Sequence, residues 1–392
     1  MHENKKNRDI ETLRACAILF VLISHLLHFT RDLFLDKLPH LQLWQGVDLF
    51  FVISGFLISN SLLSTVSKYK QGLSWRPALK AFWIRRVFRL LPAAWLWIFI
   101  PMVMAVIWPN HPLVGSLDTV ARDALAALTN TANFYWAYCI GTIHWGEFCS
   151  RPAILGVYWS LSQEEQFYLL LPLALLLISK RALVPLLALA ILTLLFIERP
   201  VFSLGWYIRP DGLFWGVLLS LCKTKTTQSR LSLPLSSKRL LFIALIAALT
   251  LAPSILSTVT NHLSAIGFIS IISAALVWLC TSGKTLTPQG YTGTILNWLG
   301  SRSYALYLSH WPTYCAIRML LIPDNNTGQP DYLGGALFIL LWCFSCIAIS
   351  ELTFRHIETP CRLYGYKLAT RKKIINPQNP KSQTLENIRL QD

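Results

Sequence analysis

"RACAILFVLISH", residues 14–25, sets an arginine at one end of an apolar run and a histidine at the other. At 100° per residue, the eleven steps from Arg14 to His25 return a helix to within roughly 20° of the same face, about 16 Å further along its axis. Both side chains therefore share one stripe. The run from 11 to 29 is apolar enough to enter a bilayer, where an ionisable group costs several kcal/mol unless it faces protein or water. The stretch thus predicts a membrane helix with a polar stripe, and raises the question of what a titratable imidazole does near its middle.

The rest of the chain repeats the pattern. Of 392 residues, 54% are hydrophobic and 14% charged, and the mean hydropathy is +0.47. Apolar runs recur near 11–29, 43–64, 90–108, 158–179, 182–198, 202–221, 240–256, 262–281, 296–320 and 332–352. They predict an all-α polytopic membrane protein of about ten transmembrane helices. The first run follows the polar "MHENKKNRDIETLR" with no small-residue cleavage site behind it, so it reads as an uncleaved span. Ten is even, and most of the 35 Lys and Arg then fall on the side of the ends, which places both termini in the cytoplasm. The net charge of +16 becomes a topology signal plus attraction to anionic membrane lipid, and no nucleic acid is implicated.

Residues 109–157 form a long outer segment whose "DTVARDALAALTNTANFYWAY" is amphipathic, expected on the membrane surface or re-entering it. From Arg362 the chain turns polar and basic, with "TRKKIINPQNPKSQ" expected to be disordered. A transmembrane domain over 1–365 and a cytoplasmic tail over 366–392 result. Seven of the nine cysteines fall in spans or on the inner side as reduced thiols. Cys139 and Cys149 lie ten residues apart in the outer segment and are a disulfide candidate.

Five spans bring ionisable groups to one layer between the midplane and the outer surface: His25, Asp48 in "GVDLFFVISGFL", Glu164 and Glu165 in "WSLSQEEQFY", Arg209 and Asp211 in "RPDGLFWG", and His310 in "SRSYALYLSHWP". A solvated, charged cavity is one explanation and structural pairing the other, with His25 hydrogen-bonded inside the bundle and Arg209 neutralising Asp211. Glu164 shares a helix face with Ser160 while Glu165 points about 100° away, so at most one should face His25. His28 reads as interfacial. On the inner side no acid occurs between Asp48 and Asp118, while Lys68, Lys70, Arg76, Lys80, Arg85, Arg86 and Arg89 accumulate. Topology alone explains clustered bases. Within "FWIRRVFRLLP", however, Arg85, Arg86 and Arg89 stand within about one turn beside aromatics, an arrangement suited to gripping phosphates.

In this order and spacing, the arginine–histidine stripe, "GVDLFFVISGFLIS", "IRRVFRLLP", "WSLSQEEQFY", "RPDGLFWG", "SRSYALYLSHWP" and "FRHIETP" resemble the membrane acyltransferase-3 family, the O-acyltransferases of bacterial surface glycans. The resemblance runs from residue 8 to about 365. It implies ten core helices in the bacterial cytoplasmic (inner) membrane, acetyl-CoA as cytoplasmic donor, no metal, and an acceptor hydroxyl on an extracytoplasmic glycan such as lipopolysaccharide O-antigen. His25 and Arg14 match the family's functional pair, and Arg85 and Arg86 its basic motif. Many members carry a histidine just before the "WSL" motif, where this chain has Tyr158, so that role does not transfer. Without an outer esterase-like domain, the chain is expected to act alone or with a separate partner.

These assignments give the opening imidazole a task. Arg85, Arg86 and Arg89 would hold coenzyme A, and His25 would take the proton of a sugar hydroxyl or accept the acetyl group itself. A carboxylate, Asp48 or Glu164, would orient it, with Glu165, Arg209, Asp211 and His310 left to contact the acceptor. The rival reading is a transporter or flippase, since intramembrane His, Asp, Glu and Arg also build proton relays, but it leaves the Arg85–Arg89 cluster without a purpose.

Overall fold

The computed structural model describes residues 7–34, 42–70, 74–141, 148–151, 153–200, 202–223, 234–259, 265–281, 285–321 and 332–370. In chain order the elements are α1 (Arg8–Phe34), α2 (Gly46–Lys70), α3 (Arg76–Ile107), α4 (Leu117–Leu128), α5 (Ala132–Gly141), α6 (Tyr158–Leu177), α7 (Lys180–Leu195), α8 (Leu204–Tyr207), α9 (Asp211–Cys222), α10 (Leu235–Val259), α11 (Ala265–Cys280), α12 (Tyr291–Leu321), α13 (Tyr332–Thr353), a π-helical turn (Phe354–Glu358) and α14 (Thr359–Thr370). No strand forms among the described residues. Five stretches are long and apolar enough to cross a membrane: Arg8–Leu27, Gly46–Leu63, Arg76–Ile107, Leu235–Leu256 and Gly334–Thr370. Large apolar side chains such as Phe99, Leu170, Ile243 and Phe344 stand exposed on the bundle's exterior, as lipid-facing surface requires.

Each predicted run falls on helix, with one correction. The sixth, 202–221, is broken: α8 ends at Tyr207 and α9 begins at Asp211. Pro210 disfavours helix at the preceding residue, and that residue is Arg209, whose burial the break permits. At 12 residues, α9 is about 18 Å long, short of a bilayer's hydrocarbon core.

Small residues set the tightest packing. Gly212 and Gly216, spaced as G-x-x-x-G on α9, lie against α2, where a Cβ on Gly216 would come within 2.4 Å of the Val52 carbonyl oxygen. A Cβ on Gly300 of α12 would lie 1.9 Å from the Glu11 carbonyl oxygen, so α12 seats directly on α1. The start of α1 is tied down as well. Asp9 is buried and accepts hydrogen bonds from the Leu286 amide (2.9 Å) and from the amide and hydroxyl of Thr287 (2.8 and 2.6 Å).

The long segment after α3 folds as a helical hairpin against the bundle. Ser116 caps α4 through the Thr119 amide, and Cys139 and Cys149 form a disulfide. Gln166 of α6 clasps the hairpin, its Nε2 donating to the Asn130 carbonyl (2.8 Å) and to Asn133 Oδ1 (2.9 Å). A second correction concerns the tail. The chain from Arg362 to Thr370 is not disordered but belongs to α14, which packs along α3, where a Cβ on Gly365 would meet the Phe88 Cβ at 2.5 Å. The predicted tail beyond Thr370, and the side chains of His28, Lys68 and Lys70, lie outside the described residues.

Candidate active site

The α1–α12 contact that begins at Gly300 ends at two histidines. His25 Nδ1 and His310 Nε2 are 3.1 Å apart. His310 is fully buried, and its Nδ1 lies 2.8 Å from the Tyr307 carbonyl and 3.1 Å from that of Leu306. Carbonyls only accept, so Nδ1 carries the proton and Nε2 presents a lone pair. That lone pair accepts from His25 Nδ1–H, which leaves the basic lone pair of His25 on Nε2. His25 is half-buried, standing in front of its fully buried partner. Trp342 Nε1 of α13 donates to the His310 carbonyl (3.1 Å), and the Trp311 ring of α12 lies 6.3 Å from that of His25, so both helices hold the dyad in place.

The expected orienting carboxylates are engaged elsewhere. Glu164 accepts from the Tyr168 hydroxyl, and Asp48 is paired with Arg209 (3.5 Å). Nor does Arg209 neutralise Asp211: that carboxylate is held bidentately by Arg199, at 2.6 and 2.7 Å. Arg209 is 1% exposed and boxed by three indoles, its guanidinium carbon 4.1 Å from the Trp206 centroid, 4.8 Å from Trp159 and 5.3 Å from Trp44. Arg209 and Asp211 are therefore sealed inside the protein rather than presented to an acceptor. They form with Asp48 and Arg199 a buried charge chain that joins the α8–α9 break to α2. Arg199 was not singled out in the sequence; only its position twelve residues before an acid could have suggested it.

Glu164 and Glu165 line one small cavity with Tyr158 and Tyr304, although adjacent helical positions should diverge. Tyr158, the residue just before the "WSL" motif, donates to the Ala94 carbonyl (2.8 Å). Ser160 and Tyr307 share a 2.6 Å hydrogen bond one turn from His310. These hydroxyls make a polar seam between α3, α6 and α12.

Arg86 stacks near Phe82 and Tyr168, at 5.7 and 5.3 Å from their centroids. Arg89 lies within electrostatic reach of Arg86, Arg14 and Arg362, and Arg85 within reach of Arg86 and of Tyr366 on α14. Arg14, with a 3.7 Å contact to Glu11, thus belongs to an arginine cluster, about 16 Å down α1 from His25. Arg302, Arg362 and Glu358 complete this cluster and were not chosen from the sequence. Arg362 falls in the stretch that reads as tail, and Glu358 stands in the sequence only as part of "FRHIETP".

An acyltransferase-domain family matches residues 7–350. The chain belongs to the acyltransferase-3 family. It is 31% identical over 380 residues to the peptidoglycan O-acetyltransferase OatA of Listeria monocytogenes, covering 91% of this chain and 56% of that protein. Similarity extends to the putative peptidoglycan O-acetyltransferase YrhL of Bacillus subtilis (28% identical, 96% and 58% covered) and to the putative O-acetyltransferase SAR0937 of Staphylococcus aureus (28%, 94% and 59%). The chain thus spans less than three-fifths of the length of these relatives. No solved structure matches it.

Proposed function

We propose that this acyltransferase-3 protein is an integral-membrane O-acetyltransferase that moves an acetyl group from cytoplasmic acetyl-CoA to a hydroxyl of an extracytoplasmic carbohydrate. The observation that carries the reading is the His25–His310 pair, with its tautomer set by two backbone carbonyls. An acceptor hydroxyl meeting the thioester at His25 would give its proton to Nε2. His310 shares the positive charge that develops, the part a carboxylate plays in a hydrolase triad. Protonated His25 then returns the proton to the departing thiolate, so the step ends with an ester, a free thiol and a neutral dyad.

The residues at the other end of α1 suit the donor. Arg14, Arg86 and Arg89 come from two helices and gather three guanidiniums at one place, which fits a ligand bearing several phosphates. Bound there, acetyl-CoA supplies the activated thioester. The 16 Å between this cluster and His25 suits a donor with its charged head and reactive end at opposite ends of a long arm.

The acceptor we favour is peptidoglycan, because the similar OatA and YrhL proteins bear that name; lipopolysaccharide O-antigen is the next candidate. Ten spans with both termini in the cytoplasm of a bacterial inner membrane complete the reading and separate donor from acceptor. The test is mass spectrometry of both glycans from cells lacking the gene, complemented with wild type or with His25→Ala at matched expression. Loss of O-acetyl groups in the null, restored by wild type and not by His25→Ala, is expected, since losing a general base slows chemistry by about 100- to 10,000-fold. Full acetylation with His25→Ala would overturn the assignment.

A further inference from the structure

The arginine cluster holds one carboxylate that the reaction does not use. Glu358 closes the π-helical turn and lies within electrostatic reach of Arg89, Arg14, Arg362 and Arg302, carried on α3, α1, α14 and α12. Arg302 is already bound to Glu351, with its Nε 2.8 Å from Oε2, and Arg14 makes a longer, 3.7 Å contact to Glu11. The guanidiniums around Glu358 do not grip it in the usual forked fashion: Glu358 Oε1 is buried without a hydrogen-bond partner among the described residues, and so is Arg14 Nε. A carboxylate held by field rather than by directed bonds is easily exchanged for a better anion. Its place on a π-turn, where one residue is squeezed out of α-helical register, keeps the carboxylate off the regular ladder of α13 and α14. Both Glu358 and Arg362 lie beyond the residues matched to the family.

We propose that Glu358 is a displaceable internal counter-ion of the donor-phosphate site, offsetting part of the positive charge of Arg14, Arg89 and Arg362 in the empty protein and giving way to a phosphate group of the donor. This rests on the donor assignment above. Competition from within the protein weakens donor binding, and the same carboxylate, on returning, helps expel spent coenzyme A. Glu358 is thereby a residue that sets donor affinity without touching the acetyl group.

The experiment is calorimetric titration of the full-length, detergent-solubilised protein with coenzyme A, and with pantetheine, which lacks phosphates. Glu358→Gln should bind coenzyme A about tenfold more tightly than wild type, and Arg362→Gln about tenfold more weakly, with pantetheine binding the same in all three. Ligand-free Glu358→Gln should also melt below wild type and recover with saturating coenzyme A. If it melts lower and binds coenzyme A no more tightly, Glu358 is only a structural ion-pair partner and the proposal fails. Should Glu358→Gln not fold, Glu358→Asp, whose carboxylate is drawn back by one methylene, must shift affinity in the same direction; unchanged or weaker binding overturns the idea. Absence of coenzyme A binding by wild type would instead sink the donor assignment itself.

Discussion

At the scale of single residues, the site depends on which groups share a proton and which are locked in ion pairs. In the proposed mechanism His310 acts through His25, so its shape matters less than its acceptor nitrogen. His310→Asn, which can still accept from His25 Nδ1–H, should keep more activity than His310→Phe, which cannot; we expect losses of about 10-fold and about 100-fold or more. Acetyl transfer measured in membranes decides this, and equal losses in both variants would reduce His310 to packing. Asp48 belongs to the other category. Asp48→Asn leaves the fully buried Arg209 guanidinium without its carboxylate and should cost about 3–5 kcal/mol. Thermal unfolding in detergent should show it, and Asp48→Asn with Arg209→Gln should lose less than the sum of the two single changes. Every one of these ionisable residues was visible in the sequence, because a charge in an apolar run is conspicuous. Their partners were not: His25 and His310 are 285 positions apart, and only the docking of Gly300 on α1 brings them into line.

Whole elements were legible where hydrophobicity is continuous and illegible where polar contacts decide. The ten apolar runs lie on helices because each can satisfy its backbone internally. The break before α9 follows from Pro210 together with the Arg209 box, and the ordered α14 from the Phe88–Gly365 seat, none of which hydrophobic periodicity encodes. The α4–α5 hairpin is intermediate: its disulfide was predicted from spacing, its clasp to α6 was not. Closing a loop of this size contributes about 3 kcal/mol in the chain-entropy treatment. Under non-reducing conditions Cys139 and Cys149 should resist alkylation, and the double change to Ser should release the hairpin to protease. A buried acid within it adds a pH dependence. Burial raises the Asp123 pKa from 3.8 to about 6, while the Ser150 and Tyr135 hydroxyls donate to it. The folded hairpin therefore binds a proton more tightly than the unfolded chain does, and its stability falls as pH rises from about 4 through 6. Hydrogen exchange over 117–141, corrected for intrinsic rates, should be slower at pH 5 than at pH 7.5, and Asp123→Asn should remove the difference.

Across the whole molecule, the arrangement works only if its two ends face different compartments. α1 carries the arginine cluster at one end and the histidine dyad further along, α12 runs beside it in the same direction, and α3 leads from Arg85, Arg86 and Arg89 to the disulfide-bonded hairpin. A thiol pair oxidises outside the cytoplasm, and coenzyme A is found within it, so the proposed function calls for an external hairpin end and an internal arginine end. The distribution of Lys and Arg demands the same orientation independently. Reporter fusions give a test in which both arguments can fail together. Fusions after Lys223 and Thr370 should read as cytoplasmic, and one after Asn110, in the turn that follows α3, as external. A cytoplasmic signal at Asn110 would place the disulfide in a reducing compartment and the arginines outside, away from any coenzyme A. An external signal at Thr370 alone would make the span number odd, and α14 could then no longer lie beside the basic end of α3. Because Gly365 is seated on Phe88, that second result would contradict the fold itself and not merely its orientation.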